Sequence, residues 1–246
     1  MDRMLFVAMT GAEQSMLGQK INSNNLANLS TTGFKADLAH FKSVPITGET
    51  YDSRAYAVTE SPGTDFRQGS MRETGNSLDI ALNGDGFLAV QGPDGVESYT
   101  RRGDLHVRQD GFLVTGSGHF VVGDGGPISV PAAESIKIAE DGLVSIIPLN
   151  ANNQATVDIG RIKLVNPGND QLVKTGDGLF KNKAGEPFEA DATARVASGF
   201  LENSNTNAVE SLVNMIALAR QFETQIKMME TAKQNDELSA RLLQVN

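Results

Sequence analysis

Residues 207–246 read NAVESLVNMIALARQFETQIKMMETAKQNDELSARLLQVN and contain no glycine or proline. Asn207 can cap a helix at its start, with Glu210 at the third helical position. Apolar residues then recur at alternating intervals of three and four, the heptad spacing of a helix with one apolar seam. The stretch predicts an amphipathic helix far longer than the mean of about 11–12 residues. Its seam consists of Leu212, Met215, Ala219, Phe222, Ile226 and Met229.

The first 34 residues carry a shorter stripe of the same kind, which predicts a second amphipathic helix through about Leu29. Its apolar residues are Leu5, Met9, Ala12 and Met16, spaced four, three and four apart. Asparagine and serine are frequent from Asn22 onwards, and these residues compete for backbone hydrogen bonds in a helix interior. Gly33 can adopt a positive φ and so end the segment.

The middle of the chain resembles neither end. Residues 35–75 are rich in turn signals and predict an extended connector with isolated strands. Residues 76–200 alternate short apolar runs with Asp-Gly turns such as Asp94-Gly95 and Asp110-Gly111, which predict β-hairpins because type I′ turns need positive φ. The predicted strands are 78–82, 87–91, 98–101, 105–108, 112–115, 136–139, 144–147 and 159–164.

We therefore expect an α+β protein whose terminal helices form a coiled-coil-like pair around a central β-rich domain of hairpins, arranged as a meander or an open barrel. The expected organisation is an N-terminal assembly helix, an extended connector, a β-rich domain and a C-terminal assembly helix, over residues 1–34, 35–75, 76–200 and 201–246. A long amphipathic helix needs a partner for its seam. The N-terminal stripe can supply part of that cover. Two interpretations follow: neighbouring subunits bury the rest, or the helices form a hairpin that packs on the β domain of a monomer.

Composition limits the partners. The net charge is −9 and the sequence has no basic block, so we expect no nucleic-acid partner, because phosphate binding needs clustered Lys and Arg. No apolar run approaches the roughly 20 residues that span a bilayer, so we expect no membrane insertion. The N-terminus lacks the features of a cleaved secretory signal. The chain has no cysteine, which excludes disulfides, thiolate metal ligands and cysteine catalysis.

The sequence contains no motif that predicts chemistry. His40, His106 and His119 do not have metal-ligand spacing, and neither a His-Glu-x-x-His helix nor a Gly-x-Ser-x-Gly elbow occurs. We therefore expect no catalytic, cofactor-binding or metal-binding residues, and no enzyme. A pair of carboxylates brought together only by folding could still hydrolyse glycans. An exported β-rich protein that binds or hydrolyses glycans thus remains as an alternative.

The segment Asn24–Lys35, NNLANLSTTGFK, resembles the N-terminal signature of the flagellar rod and hook family. Further stretches resemble the same family, so the likeness covers essentially the whole chain: residues 1–12, 82–90, 99–103 and 219–223. Within the family, Phe222-Glu223 followed by Lys227-Met228-Met229 favours the proximal over the distal rod subunit. The alternative is a distal-rod or other hook-family subunit.

The resemblance implies a structural subunit of the basal-body rod, which assembles through its terminal helices into a helical tube. Its implied partners are copies of itself, other rod proteins and the flagellar type III export apparatus. Its implied location is the periplasm-spanning rod, reached without a cleaved signal peptide. The expected assembly residues are those of the C-terminal seam together with Leu5, Met9, Met16, Asn24, Asn25, Leu26 and Asn28. We expect Asn24, Asn25 and Asn28 to set the register, so that Asn25→Leu weakens assembly more than folding of the β domain.

Overall fold

The computed structural model describes residues 4–45, 55–149 and 156–244. Residues 46–54 of the expected connector and Val245 of the C-terminal helix lie outside these ranges. The chain forms two compact units. Unit 1 comprises residues 1–29, 36–65 and 206–246, and unit 2 comprises residues 30–35 and 66–205.

Unit 1 is built on the two terminal helices, α1 (Met4–Ala27) and α2 (Ala208–Gln244). The cap expected for α2 is present: the side-chain oxygen of Asn207 accepts hydrogen bonds from the backbone N–H of Val209 at 3.0 Å and of Glu210 at 3.4 Å. The end of α1 lies two residues short of the expected one, although the N–H of Asn28 still donates to the carbonyl of Asn24 at 3.1 Å. Both predicted helices are therefore confirmed.

The rest of unit 1 is a hairpin of two long strands, β1 (Asp37–Pro45) and β2 (Ala55–Thr64). The strands are antiparallel, with Asp37 opposite Thr64 and Pro45 opposite Ala55, and a bulge follows Leu38. The expectation of isolated strands within residues 35–75 is therefore wrong. Pairing is the physical reason, because a lone strand leaves its backbone N–H and C=O groups without partners.

The described part of unit 2 is built from short strands and contains a 3₁₀ turn at Asn169–Gln171. In chain order the strands are β3 (Met71–Glu73), β4 (Ile80–Asn83), β5 (Phe87–Gln91), β6 (Glu97–Thr100), β7 (Leu105–Val107), β8 (Leu113–Thr115), β9 (Val122–Gly123), β10 (Gly126–Pro127), β11 (Ala133–Ile138), β12 (Leu143–Pro148), β13 (Val157–Arg161), β14 (Leu164–Val165), β15 (Leu172–Lys174), β16 (Phe180–Asn182), β17 (Arg195–Ser198) and β18 (Phe200–Glu202).

In the part of the chain that the structure describes, the strand pairs are antiparallel and form no closed barrel. The largest sheet has the order β14-β5-β6-β16-β15, and a second sheet has the order β11-β12-β13. The remaining strands form the pairs β7-β8, β9-β10, β4-β17 and β3-β18. The α+β class with a central region of hairpins is thus confirmed.

The Asp-Gly turns mostly act as predicted. Gly95, Gly111 and Gly142 have positive φ and connect the paired strands β5-β6, β7-β8 and β11-β12. The turn at Gly84-Asp85-Gly86 is the exception, because β4 pairs with β17 instead of with β5. A turn signal therefore predicts a reversal of the chain, whereas strand pairing depends on partners far away in sequence.

Two apolar clusters form the core of unit 2. The larger is aliphatic and joins β4, β8, β11 and β12. The smaller is aromatic: the Phe87 and Phe180 rings lie 5.3 Å apart, and Tyr99 is fully buried beside Phe188. The Tyr99 hydroxyl donates to Glu97 and accepts from the N–H of Phe188. Burial raises the pKa of this hydroxyl, so it stays protonated at neutral pH.

Candidate assembly surface

The two terminal helices meet through small side chains. The buried residues of α1 recur at intervals of three or four and so lie on one face of the helix: Ala8, Ala12, Ser15, Gly18 and Asn22. On α2 the buried residues are Ser211 and Ala232. The predicted seam residues Met215, Phe222 and Ile226 are partly buried. Most of the predicted α2 seam is therefore partly covered by the rest of the subunit.

Two contacts define the direction of the pair. The side-chain amide of Asn22 donates to the backbone carbonyl of Ser211 at 2.7 Å. Further along, a Cβ added at Gly11 would lie 2.8 Å from the Gln225 side chain. Gly11 precedes Asn22 on α1, whereas its contact Gln225 follows Ser211 on α2. The two helices are therefore antiparallel. Because Gly11 has no side chain, the Gln225 side chain can lie directly against the backbone of α1.

The large apolar residues of α1 lie elsewhere. Leu5, Met9 and Met16 are 41, 43 and 58% exposed. Their spacing of four and seven places them on one face of α1, distinct from the face of buried small residues. These three members of the predicted stripe therefore do not cover the seam of α2, whereas the fourth member, Ala12, is buried. We call Leu5, Met9 and Met16 the α1 outer face.

Helix α2 also has a large apolar patch on its outside. Leu212, one of the predicted seam residues, is 50% exposed. It belongs to a group of exposed aliphatic residues in the first turns of the helix, which we call the α2 outer face: Val209, Leu212, Val213 and Ile216. Scattered exposed apolar residues are normal, but groups of them on one surface mark sites of interaction.

The asparagines of the signature are used within the chain. The amide of Asn25 pairs with the main chain of Asp37, donating to its carbonyl at 2.8 Å and accepting from its N–H at 2.9 Å. This contact joins the end of α1 to the start of β1. The amide of Asn28 donates to the carbonyl of Asn24 at 2.9 Å, and Asn24 is exposed. Leu26 is partly buried.

Asn22 is the buried asparagine of the segment, yet it is not among the expected assembly residues. The signal for it is its spacing from the small residues of α1, not from the large ones. The buried residues of α1 have the same three-and-four spacing as the large apolar stripe, so a search for the small residues of a tightly packed helix pair would single it out.

A buried ionic cluster in unit 2 was also missed. The carboxylate of Glu202 contacts the Lys35 ammonium at 2.7 Å and the Arg101 guanidinium at 3.0 Å. The three side chains are at most 2% exposed. Lys35 and Arg101 lie in two of the stretches that carry the family resemblance, and that was the available signal.

The titratable side chains of the described residues bear on the glycan-hydrolysing alternative. Within them no cluster of His, Cys, Asp or Glu could hold a metal ion. Asp94, Asp110 and Asp191 have a pKa below the usual value, because Lys181, Arg108 and Thr193 respectively donate hydrogen bonds to them. A general acid for glycan hydrolysis needs a raised pKa instead. Over their described residues, neither helix combines the length and the apolar character that crossing a bilayer requires.

Comparison with protein-family models identifies the class of the protein. The model for flagella basal body rod proteins matches residues 5–35. The model for the D1 domain of the flagellar hook protein FlgE/F/G matches residues 81–146, and the model for the C-terminal region of the flagellar basal body rod FlgEFG protein matches residues 197–242. The chain is thus a structural protein of the flagellar rod and hook class.

Full-length relatives give the family within this class. The chain is 38% identical to the flagellar basal-body rod protein FlgF of Salmonella typhimurium and 39% identical to that of Escherichia coli, with 100% of each chain covered. It is 34% identical to the flagellar basal-body rod protein FlgG of Buchnera aphidicola, over 94% of this chain and 95% of that relative.

The chain belongs to the flagellar basal-body rod protein family. It is a structural subunit of the rod, located in the flagellar basal body, where rod proteins assemble with one another. The resemblance stated from the sequence is confirmed, and the glycan-hydrolysing alternative is not favoured.

Proposed function

We propose that the chain is a subunit of the proximal rod and that it assembles through the outer faces of its terminal helices. The observation that carries this proposal is the exposure of large apolar residues on the outer faces of α1 and α2, whereas the buried residues of α1 are small or polar. Burying a large aliphatic or methionine side chain stabilises a contact by about 1.5–3 kcal/mol. The outer faces therefore hold enough apolar surface to drive association with neighbouring subunits.

Methionine on the outer face fits this role. Its unbranched thioether adapts to different packing partners. A rod subunit has both copies of itself and other rod proteins as neighbours, so an adaptable surface suits it. We propose that the residues Met215, Ala219, Phe222, Ile226 and Met229 contribute indirectly, by holding α2 against α1. Asn24, with its exposed side chain, remains a candidate for contact with a neighbour.

Sequence supports the proximal place and the route to it. Phe222-Glu223 followed by Lys227-Met228-Met229 resembles the proximal rather than the distal subunit. We propose export by the flagellar type III apparatus without a cleaved signal peptide. The lack of cysteine is compatible with that route, since no disulfide can trap the chain. The net charge of −9 supports the absence of a nucleic-acid partner.

The proposal is tested by replacing two methionines of the α1 outer face together, Met9→Gln and Met16→Gln. Both side chains are about half exposed in the subunit, so we expect the thermal stability of the monomer to change little. Loss of two buried contacts of about 1.5 kcal/mol each should weaken self-association roughly 100-fold. Sedimentation velocity over a concentration series measures this change, and recovery of intact basal bodies measures it in cells.

A control is available in unit 2, which carries neither outer face. Asp141 and Arg161 form an exposed ion pair there, and replacing them with Asn and Gln leaves the net charge unchanged. This control should assemble normally. Wild-type association by the Met9/Met16 variant, or equal loss in both variants, would show that the outer face of α1 is not the assembly surface.

A further inference from the structure

Three stretches of unit 2 that are distant in sequence meet at Glu202. The Lys35–Glu202 contact joins residues 167 positions apart, and the Arg101–Glu202 contact joins residues 101 positions apart. Backbone carbonyl groups accept further hydrogen bonds from the two cationic side chains. Arg101 donates to Gly84 and Gly86, and Lys35 donates to Arg67 at 2.8 Å.

Backbone contacts bind the same stretches together. The N–H of Gly33 donates to the carbonyl of Glu202 at 2.7 Å, and the N–H of Gly69 donates to its carboxylate at 2.9 Å. Two further N–H groups complete the arrangement: Asn203 donates to Ser70 at 2.9 Å and Asn205 donates to Phe34 at 3.3 Å. We call this meeting point of residues 33–35, 69–70, 101 and 202–205 the junction. Glu202 contributes to it with both its main chain and its side chain.

Glycines allow the backbones to come this close. A Cβ on Gly33 would lie 2.4 Å from the Arg101 carbonyl group, and a Cβ on Gly69 would lie 2.0 Å from the Asn203 carbonyl oxygen. Atoms cannot approach to these distances without moving the backbone. The junction is thus closely packed around the ionic cluster.

The charges make the junction cooperative. A buried carboxylate between two cations offsets the desolvation of all three groups, and removing it takes from both buried cations the carboxylate that contacts them. Such a loss is relieved only if the segments that carry the cations move apart and admit water. The ordering of each segment therefore depends on the others.

We infer that Glu202 is a latch, which holds the segment that enters unit 2 (residues 30–35) and the segment that leaves it (residues 200–205) so that both are ordered or released together. Along the chain, the first segment follows α1 and the second precedes α2. Both assembly helices are thus attached covalently to unit 2 through residues that the latch holds. This role is distinct from the assembly surface, since none of the three side chains is exposed.

Hydrogen–deuterium exchange on the full-length Glu202→Gln variant tests the latch. We expect peptides covering residues 31–36 and 203–206 to exchange at least about 10-fold faster, by the same factor in both. Peptides covering β11 and β12 should keep wild-type exchange. Asp141→Asn is the matched control, since it removes the carboxylate of an exposed pair with Arg161 in the same unit and should change neither segment.

Faster exchange in only one of the two segments, or no change in either, would overturn the latch. If Glu202→Gln does not fold, Lys35→Gln provides a second test, since it leaves the Arg101–Glu202 contact in place. Exchange is again compared between the same two segments. In that variant the backbone N–H of Asn203, which donates to the carbonyl of Ser70, should also exchange faster. Acceleration confined to the residues around Lys35 would again contradict the inference.

Discussion

Gly33 is constrained both by its own backbone conformation and by the residues packed against it. The sequence predicted a positive φ here, and the structure has a φ of 67°. The sequence did not predict that the α-carbon of Gly33 packs against the Arg101 backbone. Its neighbour Lys35 likewise read as an ordinary end of the signature, yet it is fully buried against Glu202. Local conformation was predictable from residue type, whereas the packing partner was not.

Replacing Gly33 with alanine should destabilise unit 2 by about 4 kcal/mol, because a backbone clash is added to an unfavourable φ. Gly185→Ala is the control: its φ is 79°, and nothing lies within 4 Å of an added Cβ. That variant should lose only about 1–2 kcal/mol. Urea denaturation of the full chain measures the free energy of unfolding of both variants. Equal decreases would show that close packing against the Arg101 backbone adds nothing to the effect of Gly33→Ala.

At the level of elements, the pairing of α1 with α2 depends on which face of α1 is buried. The large apolar residues of α1 are spaced four and seven apart, the buried residues are spaced three and four apart, and Ala12 fits both patterns. The structure buries the small set, and a buried hydrogen bond from the Asn22 amide to the Ser211 carbonyl contributes to the register. Asn25 has a different task, since its amide pairs with Asp37 within unit 1. Its proposed effect on assembly remains a prediction.

Asn22→Ala should lower the stability of the helix pair by about 1–3 kcal/mol, because a buried polar contact is lost. Asn24→Ala provides the comparison, since the side chain of Asn24 is exposed on the same helix. Thermal unfolding followed by far-UV circular dichroism gives the two midpoints. A similar midpoint for both variants would mean that the register does not depend on the Asn22 contact.

For the whole molecule, net charge and apolar surface act in opposite directions. Each chain carries −9, so copies repel one another, while burial of the outer faces favours association. In the sequence, this charge argues against a nucleic-acid partner. Together with an exposed apolar surface, it also predicts how association responds to salt.

Raising the ionic strength from about 0.01 M to about 0.1 M shortens the screening length from about 30 Å to about 10 Å. We expect self-association to strengthen, by roughly 10-fold, because repulsion is screened and apolar burial is not. Sedimentation equilibrium at the two salt concentrations measures the change. Weaker association at the higher concentration would indicate that ion pairs between subunits dominate instead.

The sequence alone determined the features that depend on near neighbours in the chain. These include the two terminal helices, the Asn207 cap, the positive φ at the Asp-Gly turns and the family signature. Their hydrogen bonds join residues a few positions apart, so residue type and spacing are sufficient to predict them.

Only the tertiary structure decided which of two equivalent stripes of α1 is buried, that β4 pairs with β17, and that Lys35 and Arg101 meet at Glu202. In each case local geometry allows more than one arrangement. The choice depends on close packing and on the burial of charge between segments that are far apart in the chain, and no local pattern encodes those contacts.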